Sequence, residues 1–101
     1  MKNNNKIKKI KLIVSDVDGV MTDGTILIGS DLQESKFFHV EDGTAVALAH
    51  YAKLPIALIS GRYSKSTEIR AKELRIDHCY QGVLNKKFIL DKLLKIYSVN
   101  Y

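Results

Sequence analysis

Two carboxylates placed two residues apart have the type and spacing to do chemistry in this chain. Asp16 and Asp18 directly follow an apolar run that begins at Ile10, and Gly19 comes after them. A short apolar run rich in β-branched residues is typical of a buried strand, so both carboxylates would leave its end in a loop. Carboxylates there can act as a nucleophile, as a general acid or base, or as ligands of a hard cation.

Other polar side chains follow later strands of the same predicted kind. Ser60, Gly61 and Arg62 follow a second apolar strand, and Lys86 comes shortly after a third. Because the carboxyl ends of parallel strands meet at one edge of a sheet, where α/β proteins bind ligands, these side chains are expected to converge on the aspartates. Two carboxylates, a hydroxyl, a guanidinium and an ammonium together predict a site for a metal-neutralised phosphate.

The elements that would position these side chains alternate between strand and helix, which predicts a parallel α/β sheet with right-handed crossovers. Strands are predicted at residues 10–15, 56–59 and 78–80, and a β-hairpin with a turn at 29–31 is predicted at residues 25–39. A helix is predicted after the hairpin, after the second strand and after the third strand, and Pro55 would stop the first of these helices.

Caps and apolar positions complete the expected elements. The predicted N-caps are Asp42 or Thr44 for the first helix, Ser64 or Ser66 for the second and Asn85 for the third. The positions expected to face the core are Ile69 and Leu74 in the second helix and Ile89, Leu90, Leu93, Leu94, Ile96 and Tyr97 in the third. Tyr51 and the single cysteine, Cys79, are also expected in the core.

Length and charge exclude several classes of protein. The chain has 101 residues, enough for one domain with a thin core. Its net charge of +5 comes from lysines among the first eleven residues, so residues 1–9 are expected to form a flexible basic tail rather than a nucleic-acid interface. No apolar run approaches the ~20 residues of a membrane span. A lone cysteine suits a reducing compartment, which predicts a cytoplasmic protein.

Three motifs carry a resemblance to a known family. D-V-D-G-V at residues 16–20, I-S-G-R at 59–62 and Y-Q-G at 80–82 with Lys86 resemble the first three motifs of the haloacid dehalogenase superfamily. More closely, the chain resembles the 3-deoxy-manno-octulosonate 8-phosphate (KDO-8-phosphate) phosphatases, which place a hairpin and an Asp-Gly, as at Asp42-Gly43, before the first helix. This resemblance implies a Rossmann-like three-layer sandwich with a small β-hairpin insertion after the first strand.

The resemblance also implies a role for each candidate residue. Asp16 would be the nucleophile and a Mg²⁺ ligand, and Asp18 the general acid/base with its backbone carbonyl on Mg²⁺. Ser60 would bind the phosphate, Lys86 would clamp it, and Gly61 and Arg62 would border the substrate. The implied reaction is hydrolysis of KDO-8-phosphate through an aspartyl-phosphate, in the cytoplasmic synthesis of lipopolysaccharide. The implied assembly is a homotetramer formed through the apolar hairpin.

The chain departs from the family pattern in three places. Glu41 stands where the family commonly has Arg or Lys, and Arg75 stands where a glycine would end the second helix more comfortably. After Lys86 the only carboxylate is Asp91, whereas the family has a fourth motif, Gly-Asp-Asp, on a further strand. The sequence therefore predicts a single incomplete domain over residues 1–101, whose C-terminal strands are missing, whose first strand is an exposed edge and whose activity is weak.

The sequence leaves two alternatives to an active phosphatase. One is a non-catalytic oligomerisation or binding module of the same fold, as in domains fused to sialic acid activating enzymes. Intact Asp16, Asp18, Ser60 and Lys86 favour the enzyme, whereas the missing fourth motif favours the module. The other is a calcium loop, which would need a third ligand near Val20. The three histidines share no ligand spacing and are expected to be structural or exposed.

Overall fold

The computed structural model describes residues 9–31 and 34–100, so most of the predicted basic tail lies outside the described residues. The elements in these ranges are β1 (Ile13–Ser15), β2 (Thr22–Ile28), β3 (Glu34–Phe38), α1 (Val40–Tyr51), β4 (Ile56–Ile59), α2 (Lys65–Glu73), β5 (His78–Tyr80) and α3 (Lys86–Ile96). Strand β4 and strand β5 have the predicted bounds. Strand β1 is shorter than predicted, because its pairing begins only where the Ile13 N–H donates to the Pro55 carbonyl at 3.0 Å.

The strands form two sheets. In the first, the order is β1-β4-β5 and both pairings are parallel, with Ile13 opposite Ile56 and Ala57 opposite His78. In the second, β2 and β3 pair as an antiparallel hairpin with an irregular register between Thr22 and Ile26. The predicted parallel α/β fold with a small hairpin after the first strand is therefore confirmed, and the hairpin begins earlier than expected.

Strand β4 divides the core into two clusters. Its four residues are all buried and alternate between the two faces of the sheet. One face contributes to a cluster that comprises Val17, Met21, Val46, Ala49, Ile56, Leu58 and Ala71. The other contributes to a cluster that comprises Ala57, Ile59 and Leu93. Helices α1 and α2 thus cover one face and α3 the other, which gives the three layers.

The helix starts follow the prediction in two of three cases. The Ser64 hydroxyl accepts from the Thr67 N–H at 3.4 Å, and the Asn85 side chain accepts from the Phe88 N–H at 3.1 Å. The prediction for α1 is wrong, since this helix begins at Val40 with His39 as its N-cap and without a side-chain cap bond. Asp42 instead lies in the first turn, where a carboxylate interacts favourably with the helix dipole.

Several expected core positions are exposed. Tyr51 is 90% exposed and Ile96 53% exposed, and Ile69 is also exposed. In α2 the inward positions are Thr67 and Ala71, followed by the half-buried Leu74. These three recur at i, i+4 and i+7, so Ile69 falls on the opposite side of the helix. The predictions for Tyr51, Ile69 and Ile96 are therefore wrong, whereas those for Leu74 and Leu93 are confirmed.

Cys79 is exposed, so its predicted core position is also wrong. Its neighbours in β5 turn toward α3, where His78 Nε2 lies 2.6 Å from the Tyr97 hydroxyl oxygen. Cys79 itself lines a cavity of about 510 Å³ beside α2. The cavity wall removes part of the water around the thiol, and this desolvation raises its pKa; the nearby Glu68 carboxylate raises it further.

The end of α2 and the outer edge of β1 follow the prediction. Arg75 has a φ of 55°, the left-handed conformation that favours glycine, and its N–H donates to the Lys72 carbonyl at 3.1 Å. Strand β1 is an outer strand of its sheet, and its residues Ile13 and Val14 are exposed. A groove of about 650 Å³ runs beside it, lined by residues 9–14, Leu90, Leu94, Val99 and Asn100. No helix in the described part of the chain is long and apolar enough to cross a membrane.

Candidate active site

Asp16 directly follows β1 at the carboxyl end of the sheet. Its Oδ1 accepts from the N–H of Val17 at 2.8 Å, and the Val17 side chain is fully buried. The Val17 carbonyl in turn accepts from the Met21 N–H at 2.8 Å, which closes a tight turn. The buried valine therefore anchors the loop, while the Asp16 carboxylate stays half-exposed at the mouth of the site.

Thr22 organises the rest of the acidic loop, a role that the motif did not reveal. It is buried, and its hydroxyl oxygen accepts from the N–H groups of Gly19 and Gly24, each at 3.1 Å. These glycines have φ values of 79° and 86°, in the left-handed region where a side chain is strained. One buried hydroxyl thus holds both turns of the loop that carries Asp16 and Asp18.

Lys86 reaches the site from the first turn of α3. Its Nζ lies 3.1 Å from Oδ2 of Asp16, although the two residues are 70 positions apart. The Asn85 cap fixes the start of α3 and therefore the point from which the lysine extends. Both side chains are about half-exposed, so the pair is open to water and contributes under about 1 kcal/mol to stability. A phosphate oxygen has access to the ammonium.

Ser60 occupies the end of β4 and is almost fully buried. Its N–H donates to the Tyr80 carbonyl at 2.8 Å, and its carbonyl accepts from the Val83 N–H at 3.0 Å. These bonds hold the loops after β4 and β5 together. A Cβ added at Gly61 would come within 4.0 Å of Lys86 Cε, so the loop after β4 lies directly beside the lysine.

Arg62 and Asp18 both pair with strand β3 of the hairpin. Arg62 Nη2 bonds Glu34 Oε1, and Asp18 Oδ1 accepts from Lys36 Nζ at 2.7 Å. Neither Glu34 nor Lys36 was among the predicted site residues. The available signal was the period of two in β3, which places both on one face of the strand. The hairpin is therefore part of the site as well as an exposed surface.

The structure brings Asp16, Lys86 and Gly61 into direct proximity, and it connects Asp18 and Arg62 to the hairpin. Residues 9–31 and 34–100 contain no group of three His, Cys, Asp or Glu side chains that could hold a metal ion. Of the histidines, His50 Nε2 lies 3.0 Å from the Leu74 carbonyl oxygen, a structural contact as expected. What remains is a site with carboxylate, hydroxyl and ammonium groups at the ends of parallel strands.

Known proteins are similar to this chain in sequence and in fold. No protein-family model matches the chain. The 3-deoxy-D-manno-octulosonate 8-phosphate phosphatase KdsC of Escherichia coli K12 is 40% identical over 90 residues, which cover 89% of this chain and 48% of that protein. The chain thus spans about half the length of the curated relatives that it matches.

Two solved structures are similar throughout the fold. The 3-deoxy-D-manno-octulosonate 8-phosphate phosphatase of Moraxella catarrhalis, solved with magnesium, phosphate and KDO, has a TM-score of 0.89 and 37% identity, over 99% of this chain and 59% of that chain. A protein of Legionella pneumophila assigned to the HAD superfamily (subfamily III A) has a TM-score of 0.88 and 35% identity, over 95% and 53%.

The fold and the order of the strand-end motifs place the chain in the haloacid dehalogenase superfamily. Within that superfamily it belongs to the 3-deoxy-D-manno-octulosonate 8-phosphate phosphatase family. The family resemblance read from the sequence is confirmed.

Proposed function

We propose that the chain is part of a Mg²⁺-dependent phosphomonoesterase that hydrolyses KDO-8-phosphate to the free sugar acid and phosphate. The observation that carries this proposal is the pairing of Asp16 with Lys86 at 3.1 Å, because it brings a carboxylate from the end of β1 and an ammonium from the start of α3 to one point. Relatives at 40% identity that are KDO-8-phosphate phosphatases support the substrate class.

In this proposal Asp16 and Asp18 divide the chemistry. A carboxylate oxygen of Asp16 attacks the phosphorus, the bond between phosphorus and the sugar oxygen breaks, and that oxygen takes a proton from the Asp18 carboxyl group. Water then attacks the phosphorus of the aspartyl-phosphate while Asp18 accepts a proton from the water. The bond between phosphorus and the Asp16 oxygen breaks, which releases phosphate and regenerates the Asp16 carboxylate.

Lys86 and Ser60 would hold the phosphoryl group during both steps. The Lys86 ammonium, which binds Asp16 in the structure, is placed to bind a phosphoryl oxygen beside the same carboxylate. The Ser60 hydroxyl would donate to a second oxygen from a backbone that is hydrogen-bonded on both sides. Gly61 and Arg62 would border the substrate. Positive charge and a fixed donor stabilise a transition state that spreads negative charge over these oxygens.

A Mg²⁺ ion fits the donor types at the end of β1, because Mg²⁺ prefers oxygen ligands and keeps several waters. The Asp16 carboxylate and the Asp18 backbone carbonyl would hold it. When bound, the ion offsets the repulsion between the carboxylate and the phosphate. With no third acidic ligand grouped there among the residues that the structure describes, we expect weak metal binding and slow turnover.

Phosphate release by the purified chain tests this proposal. We expect slow release from KDO-8-phosphate that stops with EDTA and returns with added Mg²⁺, and slower release from other sugar phosphates. Turnover of p-nitrophenyl phosphate under the same conditions reports chemistry without sugar recognition. Release that is insensitive to EDTA would contradict the proposal.

The second candidate function is a non-catalytic oligomerisation or binding module of the same fold. Two observations favour this module. The apolar edge of β1 is exposed, and the described part of the chain has no three-residue metal cluster. A module would release no phosphate at any Mg²⁺ concentration while keeping its assembly. The assay above therefore separates the two candidates.

The hairpin is the surface through which we propose that four copies assemble. Leu27, Ile28 and Phe37 are large apolar side chains and are exposed in the single chain. Light scattering after gel filtration should give about four times the chain mass of 11.4 kDa, and Phe37→Asp should give monomers. Tyr51→Asp, at an exposed aromatic on α1, is the matched control and should keep the tetramer. A monomeric unsubstituted chain would refute this assembly.

We also propose that the protein lies in the cytoplasm, because its exposed Cys79 thiol suits a reducing compartment.

A further inference from the structure

Lys36 is a buried cation that the proposed reaction does not use. Its side chain is 1% exposed, and its Nζ lies 2.7 Å from Oδ1 of Asp18. Removal of an ammonium from water costs several kcal/mol unless a negative group compensates it. Asp18 supplies that compensation. Separation of this buried pair therefore costs more free energy than separation of an exposed pair.

Strand β3 holds Lys36 at a fixed register. Glu34, Lys36 and Phe38 lie on the inward face of β3, whereas Ser35 and Phe37 are exposed on the other. Glu34 bonds Arg62 in the loop after β4, and Phe38 packs against the core. Glu34 and Phe38, the neighbours of Lys36 on this face, are thus each held by a contact outside β3. The ammonium therefore reaches Asp18 from a defined point.

We propose that Lys36 is a positioning residue that holds the Asp18 carboxyl group in one orientation for proton transfer. Lys36 donates to Oδ1, a bond that both the carboxylate and the neutral carboxyl group can accept, so the other oxygen, Oδ2, would be the one that carries and transfers the proton. A carboxyl group on a loop that rotates between rotamers would spend less time in the geometry that proton transfer needs. The proton-transfer part of this inference rests on the proposed function, whereas the fixed orientation does not.

The orientation of Asp18 is tested directly by NMR on the full chain. We expect the couplings between the α and β protons of Asp18 to report one rotamer in the unsubstituted chain and an average of rotamers in Lys36→Met, which keeps the apolar stem and removes the charge. Lys72→Met is the matched control, since it removes an exposed Nζ that lies 3.3 Å from Glu68 on the solvent side of α2. It should leave the Asp18 couplings unchanged. A single Asp18 rotamer in Lys36→Met would overturn the proposal.

Two substrates with different leaving groups test whether Lys36 affects proton transfer from Asp18. General acid catalysis matters for a sugar alkoxide and little for p-nitrophenolate, which leaves without a proton. We therefore expect Lys36→Met to lower kcat/KM for KDO-8-phosphate by roughly 10- to 100-fold and for p-nitrophenyl phosphate by less than about 3-fold. A merely structural role would lower both equally, and that result would overturn the proposal.

An inactive chain or an unfolded variant would still leave the role of Lys36 testable. If the unsubstituted chain releases no phosphate from either substrate, the proposed function fails and the Asp18 couplings alone decide the role of Lys36. If Lys36→Met does not fold, Lys36→Arg carries the test, because a cation at this position should keep the single rotamer. Rotamer averaging in that variant would overturn the proposal.

Discussion

Replacement of Asp16 with asparagine should reduce phosphate release by the chain at least about 10³-fold, because an amide cannot attack phosphorus as a carboxylate does. The change keeps the size of the side chain and an oxygen that can accept from the Val17 N–H. It removes the charge that pairs with Lys86, but this pair is half-exposed and contributes under about 1 kcal/mol. The variant should therefore stay folded while turnover is lost.

The matched control is Asp91→Asn on α3. Asp91 Oδ2 accepts from Lys87 Nζ at 2.9 Å on the helix surface, so this change also removes one carboxylate from one lysine pair. We expect its phosphate release to stay within about twofold of the unsubstituted chain, since surface changes away from a site have small effects. Turnover that persists in Asp16→Asn would show that Asp16 is not the nucleophile.

Leu93→Ala should lower the free energy of unfolding by about 3 kcal/mol, within the roughly 2 to 5 kcal/mol seen for buried leucines. Leu93 is fully buried and forms one of the two core clusters with Ala57 and Ile59. Partly buried apolar side chains surround these three residues, so their movement can fill part of the space that the leucine leaves, which favours the lower half of that range. For a domain whose total stability is about 5 to 15 kcal/mol, this is a large fraction.

Urea denaturation of Leu93→Ala and Ile96→Ala, on the same helix, measures the effect. Ile96 is 53% exposed, and alanine has the higher helix propensity, so Ile96→Ala should lower the free energy of unfolding by under about 1 kcal/mol. Equal losses in the two variants would contradict the burial that the structure assigns to α3.

The elements that the sequence predicted correctly are those with strong local signals. Strand β4 is a continuous apolar run buried on both faces, and Ser64 and Asn85 are caps whose side chains bond the backbone three residues on. The start of α1 was missed because no local cap was needed where the helix continues directly from the hairpin. Tyr51 was misplaced because the prediction followed its aromatic character and not its position, which is two residues after Ala49 and off the stripe that Val46 and Ala49 form.

The hairpin shows the same limit at the site. Its existence was predictable from two apolar segments around a turn, but its contact with the aspartates was not. Lys36 has a sequence neighbourhood typical of a solvated strand residue, and only the packing of β3 against the loop after β1 buries it beside Asp18. Thr22 is a similar case, since its bonds to Gly19 and Gly24 depend on the folded turn.

By itself, the sequence determined the superfamily, the strand-helix order and the residues at the strand ends, because motifs and hydrophobic periods are local properties. Only the tertiary structure decided which side chains meet: Lys86 with Asp16 across 70 positions, and Lys36, which no motif indicated, with Asp18 across 18. It also decided that Cys79 lies outside the core. Distances between side chains far apart in the chain depend on how the layers pack, and packing is not a local property.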